Sequence, residues 1–190
     1  MSNALQALRA PHFLWLALSW LTSTSLALSQ TTGKPASALP KLPDDPALAP
    51  FGLYQNTAPG PIPTAPTDTT LPLVLHKGNR IAFVGNTLLE RAQDFGHLES
   101  ALHLGCPQDE LVIRHLDWSA DEVDLQPRPE NFASLFQHLT HEKIDIIIAA
   151  FGFNESFGGL EKLDSFKDRL TKWVQSVKGS AFNGKCSPQL

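Results

Sequence analysis

The sequence predicts an α/β fold, a three-layer α/β/α sandwich around a parallel sheet. Apolar runs at Ile81–Val84, Glu110–Leu116 and Ile144–Ala150 are each followed by apolar residues at helical spacing. That alternation is the pattern of a parallel sheet with right-handed crossovers. The first run ends in Gly85-Asn86-Thr87 and the third in Gly152-Phe153-Asn154-Glu155. Polar side chains therefore collect at the carboxyl ends of the strands, where open α/β sheets keep their chemistry.

Residues 1–29 read as a signal peptide: Arg9 precedes an apolar run from Phe13 to Leu28, which closes on Ala27-Leu28-Ser29. The run is short for a membrane span and is interrupted by Ser19, Thr22, Ser23, Thr24 and Ser25. Cleavage leaves no stable span, and the expected location is outside the cytoplasm, periplasmic or secreted; an uncleaved anchor is the other reading. The remaining chain carries 14 Lys+Arg against 19 Asp+Glu, a net charge of −5. No basic patch invites nucleic acid.

Residues 30–72 hold ten of the fifteen prolines, with Thr, Ala and Ser and no regular apolar spacing. Such a segment is expected to be an extended linker, open to proteolysis, because it cannot bury enough surface to fold alone. One folded unit follows, residues 73–190, large enough for a core but small for an α/β enzyme domain. Cys106 and Cys186 lie in loop-like sequence, where a disulfide and two free thiols are both open.

In the folded unit, Ile81–Val84 precedes a helix expected over Leu88 to Leu104, with Leu88, Leu89, Ala92, Phe95, Leu98 and Leu102 as its apolar stripe and Gly96 as a weak point. Glu110–Leu116 leads through the Asp117–Asp121 and Pro127/Pro129 loops to a helix expected from Glu130, with Phe132, Leu135, Phe136 and Leu139 on one face. Ile144–Ala150 leads through the Gly152–Gly159 loop to a helix near Asp164–Val177. The last residues, Phe182–Leu190, read as the turn that feeds a fourth strand. A three-stranded sheet would leave an unpaired edge for a partner or a further segment to cover.

Gly85-Asn86-Thr87-Leu88, His115-Leu116-Asp117-Trp118-Ser119-Ala120-Asp121 and Gly152-Phe153-Asn154-Glu155 resemble, in order and position, the three blocks of SGNH/GDSL-type hydrolases. The resemblance covers nearly all of residues 78–190, and extends to a secreted subgroup with a Gly-Asn-Thr first block and a Gly-Phe-Asn-Glu-Ser third block. It implies a flavodoxin-like α/β/α sandwich acting on ester bonds, such as those of acylated carbohydrate, with no cofactor or metal. Thr87 takes the nucleophile's place, where the family carries serine. The backbone N–H groups of Thr87 and Ala120 and the Asn154 amide become the oxyanion donors. The chain departs from the family at Asn86, which stands for an aspartate, and in lacking the C-terminal block that carries the His base and its acidic partner. The resemblance therefore implies a C-terminally truncated, impaired hydrolase domain. A catalytically inactive remnant, serving as a carbohydrate-binding or interaction module, is the alternative.

Simpler roles stand beside these. Thr87 is a suitable N-cap for a helix beginning at Leu88, with Glu90 completing a capping box. Asn154 can hold its own loop through side-chain-to-backbone bonds. Asp117 and Asp121 read as solvated loop carboxylates, and Trp118 as a core lid or, less simply, a sugar-stacking platform. Among the histidines, His115 is the nearest candidate base. His97 and His103 read as solvated or half-buried helix residues, and the helical pair His138 and His141 as surface residues; the pair lacks the acidic neighbours that would complete a metal site.

Overall fold

The computed structural model describes residues 52–190. The signal-peptide reading of residues 1–29 and the first part of the expected linker lie outside them. The elements run β1 (Ile62–Pro63), β2 (Arg80–Gly85), α1 (Thr87–Phe95), α2 (His97–Gly105), β3 (Val112–Asp117), α3 (Leu135–His141), β4 (Ile146–Ala150), α4 (Leu163–Lys178) and β5 (Ser180–Ala181), with two 3-10 turns at Glu155–Gly158 and Leu160–Lys162. This is an α/β fold.

Strands β3, β2 and β4 form a parallel sheet in that order. The central strand β2 is buried from Ile81 to Gly85, because it has a strand on either side and side chains over both faces. Its period of two sends Ala82 and Val84 to one cluster, with Leu139 of α3, Trp173 and Val177 of α4, and Phe182. Ile81 goes to a second cluster, with Leu111, Ile146 and the half-buried Leu73, Leu75 and Leu102. The register sets Gly85 opposite both Asp117 and Ala150, so the three strands end level.

Two helices depart from expectation for identifiable reasons. The single helix expected over Leu88 to Leu104 is two, because Gly96 is left-handed (φ 62°) and caps α1, its N–H returning to Ala92 O. The stripe divides accordingly: Leu89 is buried and Leu102 half-buried, whereas Leu88 and Phe95 face solvent. The helix expected from Glu130 begins at Leu135. Ser134 forms a capping box there, its hydroxyl accepting from Gln137 N–H while the Gln137 side chain accepts from Ser134 N–H. Phe132 lies outside the helix and packs on Trp118 instead.

The C-terminal residues approach the sheet where a fourth strand was expected. After β5, Gln189 pairs in parallel with Ile146: Ile147 N–H donates to Gln189 O (2.8 Å), and Gln189 N–H donates to Asp145 O (3.0 Å). Only the start of the β4 edge is covered in this way.

Residues 52–72 differ from a free linker, because their backbone finds partners on the folded unit. Tyr54 bridges to Phe132, and Gln137 Nε2 donates to the carbonyls of Gln55 and Ala58. Further on, β1 pairs antiparallel with β5, and the Thr69 hydroxyl donates to Leu190 O and accepts from Leu190 N–H. The segment is extended, as its prolines dictate, but it is strapped down. Both cysteines are free thiols, Cys106 half-buried and Cys186 exposed. No helix among the described residues is long and apolar enough to cross a membrane.

Candidate functional site

The three sequence blocks meet at one carbonyl. Gly85 turns sharply at the end of β2 (φ 142°), allowing Asn86 N–H to donate to Ala150 O at the end of β4 (3.2 Å). Trp118 N–H donates to Gly85 O (3.1 Å), drawing in the loop after β3. Asn154 Nδ2 then donates to Asp121 O (3.1 Å), and the buried Asn86 Nδ2 approaches the same oxygen (3.4 Å). Asn154 thus ties its own loop to the one after β3.

Thr87 is the first residue of α1, and the cap is Asn86, whose side chain makes no cap bond because its amide is turned across the rim. The expected Thr87–Glu90 capping box is therefore corrected: Glu90 accepts from the Ser119 hydroxyl. As a first-turn residue, Thr87 has a backbone N–H with no intrahelical acceptor, and its side chain is half-buried. Ala120 is exposed, with φ 68°. That is the left-handed region, which glycine adopts more readily than alanine.

Two carboxylates read as solvated are buried. Asp121 is 2 % exposed, its oxygens receiving Arg128 Nη1 and Nη2 at 2.8 and 2.6 Å. Asp117, 5 % exposed, is the last residue of β3, the strand that packs against α1. Its Oδ1 is 3.0 Å from His115 Nδ1, and His115 Nε2 is 2.9 Å from Glu99 Oε1 on α2. Both ring nitrogens of the candidate base are thus engaged by carboxylates rather than by Thr87. A neutral imidazole donates from one nitrogen only, so the second contact needs an extra proton on the ring or on a carboxyl.

Asp117 Oδ2 is buried with no partner. Burial raises the Asp117 pKa above the ordinary carboxyl value, the charge of nearby Glu90 adding slightly, while contact with His115 pulls it down without cancelling the shift. A carboxyl with a raised folded pKa destabilises the fold increasingly as pH climbs from the unfolded value through the folded one. Asp117→Asn is accordingly expected to raise the melting temperature at pH 8, with the gain shrinking steadily as the pH is lowered toward 4. A gain that grew on acidification would contradict this account.

Glu155 was named in the third block without a role, and the structure supplies one. Its side chain is buried; Oε1 accepts Val123 N–H and Oε2 accepts Gly152 N–H, both at 2.9 Å. One carboxylate therefore pins two loops together beneath Asn154. The remaining candidates sit elsewhere: His97, His103 and His141 are exposed. His138 is half-buried rather than superficial, and Trp118, 46 % exposed, is no core lid but lies under Arg128, whose guanidinium carbon is 4.2 Å from its ring. Among the described residues no group of three or more His, Cys, Asp or Glu side chains is arranged to hold a metal ion. Comparison with family models, with curated proteins and with solved structures found no match for this chain.

Proposed function

We propose that residues 73–190 belong to an exported SGNH/GDSL-like domain, an α/β/α sandwich whose rim engages ester bonds, with acylated carbohydrate as the substrate class. The observation that carries this reading is the approach of the Asn86 and Asn154 amides to the Asp121 carbonyl, which brings the first, second and third blocks to one rim. Thr87 stands at that rim as the nucleophile's counterpart, with its own N–H, that of Ala120 and the Asn154 amide as oxyanion donors. An amide hydrogen of Asn154 beyond the one given to Asp121 O remains for that purpose.

Turnover also needs a base for the Thr87 proton. His115, the nearest candidate, is held between Glu99 and Asp117. This favours an ester-binding rim with slow chemistry, and keeps a binding module without turnover as the second reading. General-base assistance is worth about 10²–10⁴-fold, and an oxyanion hole alone still accelerates hydrolysis over water. The purified protein is therefore expected to hydrolyse p-nitrophenyl acetate slowly. Thr87→Val should remove most of the rate above background, whereas His115→Gln should change it little. A rate unaffected by Thr87→Val would sink the nucleophile assignment, and a fast rate abolished by His115→Gln would make His115 the base after all.

A further inference from the structure

The connection from β4 into the start of α4 carries its apolar side chains outward. Phe153, Phe157, Leu160 and Leu163 are 55, 79, 87 and 42 % exposed, four large apolar residues within one short stretch. Phe157 meets Phe153 edge-on at 5.4 Å between ring centroids, and the two 3-10 turns of the loop pack against each other. An apolar hollow of about 300 Å³ continues this surface inward between Leu160, Leu163 and Phe166. Single apolar residues are ordinary on a surface, whereas a group of them marks contact with something apolar. The exposure is not that of a loose loop, because Glu155 holds it from beneath through the N–H groups of Gly152 and Val123.

The polar groups of the same loop are turned in on themselves. Ser156 N–H donates to Gly152 O, Phe157 N–H to Asn154 O, Gly159 N–H to Ser156 O and Lys162 N–H to Gly159 O, while the Ser156 hydroxyl donates to Phe153 O. Closed hydrogen bonds beneath outward apolar side chains suit hydrocarbon, which offers a polar group no partner. A stable protein interface, by contrast, carries about ten direct hydrogen bonds. Charge narrows the choice further. Asp164 and Lys167 pair at 3.3 Å, leaving Glu161 and Lys162 as adjacent exposed charges of opposite sign that make no ion pair among the described residues. Together they complement a zwitterionic headgroup, the ammonium facing its phosphate and the carboxylate its cationic end, whereas an anionic surface gains nothing from the pair. Lys162 also lines the hollow, so its stem can lie along apolar surface while its ammonium stays at headgroup level.

We propose that this loop docks the protein on a zwitterionic lipid bilayer, Phe153, Phe157, Leu160 and Leu163 entering the boundary between headgroups and acyl chains. The inference is independent of any ester chemistry at Thr87, and its test involves no turnover. In the full chain, Phe157→Trp places an indole on the loop, and its fluorescence would be followed on adding phosphatidylcholine vesicles brominated on their acyl chains. The expected result is saturable quenching beyond that of the unsubstituted chain. The native tryptophans and the apolar run from Phe13 to Leu28 are common to both proteins, so the difference reports the loop. Adding Leu160→Ser to Phe157→Trp should raise the lipid concentration for half-maximal quenching by roughly tenfold, the worth of one large apolar side chain taken from water. Adding Leu163→Ser, at a less exposed position, should raise it less. All three positions are at the surface, so the melting temperatures should hold. Replacing part of the phosphatidylcholine with phosphatidylglycerol should not strengthen binding. No quenching beyond that of the unsubstituted chain, quenching untouched by both serine substitutions, or binding that needs phosphatidylglycerol and fades with salt would each overturn the proposal. So would a lipid-free dimer that Phe157→Ser dissolves, since a second copy would then be the occupant.

Discussion

Gly85→Ala is expected to prevent stable folding, with a cost of about 4 kcal/mol or more. A Cβ built on Gly85 would lie 2.1 Å from Ala150 O and 2.8 Å from the Ala150 carbonyl carbon. Both are backbone atoms of the neighbouring strand, so no side chain can swing aside. The residue also sits at φ 142°, a conformation that side-chain-bearing residues rarely adopt. Relief requires β2 and β4 to part at their carboxyl ends, which would take Asn86 N–H from Ala150 O and dissolve the rim. Gly78→Ala is the matching control: φ is 79°, but nothing lies within 4 Å of its Cβ. It should cost only the left-handed penalty of about 1–2 kcal/mol. Urea unfolding of the two variants would separate close approach from conformational strain. Equal, small losses would show that the strands tolerate separation at this point.

Glu155→Ala is expected to destabilise the protein by about 2–5 kcal/mol, because it strands two amide donors at once. The Val123 bond is fully buried and the Gly152 bond partly so. Glu155→Gln keeps an oxygen acceptor for one of the two N–H groups but turns an NH2 donor onto the other, so it should recover at most about half of that loss. The effect should also reach beyond stability. With its two loops unpinned, the Asn154 amide leaves Asp121 O, and any ester hydrolysis that depends on Asn154 falls with it. A loss below about 1 kcal/mol for the alanine variant would mean that the loops are held by packing, and that the carboxylate is incidental.

The sheet was legible because β2 and β4 are continuous apolar runs too short for helices, and because helical spacing follows each of them. The convergence of Asn86, the 118–121 loop and Asn154 was legible for a related reason, since parallel strands deliver their carboxyl ends to one side. Local punctuation was harder to read. Gly96 was seen as a weakness in one helix, whereas its left-handed backbone makes it a boundary between two. The Ser134-x-x-Gln137 signature could have placed the start of α3, but the apolar spacing from Phe132 outweighed it. Asp117, Asp121 and Glu155 were missed because burial of a carboxylate depends on partners distant in the chain. Glu99 reaches His115 from a separate helix, and Glu155 reaches Val123 across two loops; neither pairing leaves a periodic trace.

The strap of residues 52–72 has a consequence for the order in which the protein assembles. Asn56 N–H bonds a residue 75 positions away, and Thr69 one 121 positions away. Contacts at such separation close long loops, and their entropic cost is met only once their targets are ordered. The capped turn at Ser134 and the end of α4 have to exist before Gln55, Ala58 and β1 can dock on them. Folding therefore proceeds from the sheet outward and ends with the proline-rich segment, like a latch drawn across a door already shut. Opening runs in reverse, and the same segment is the first to lift.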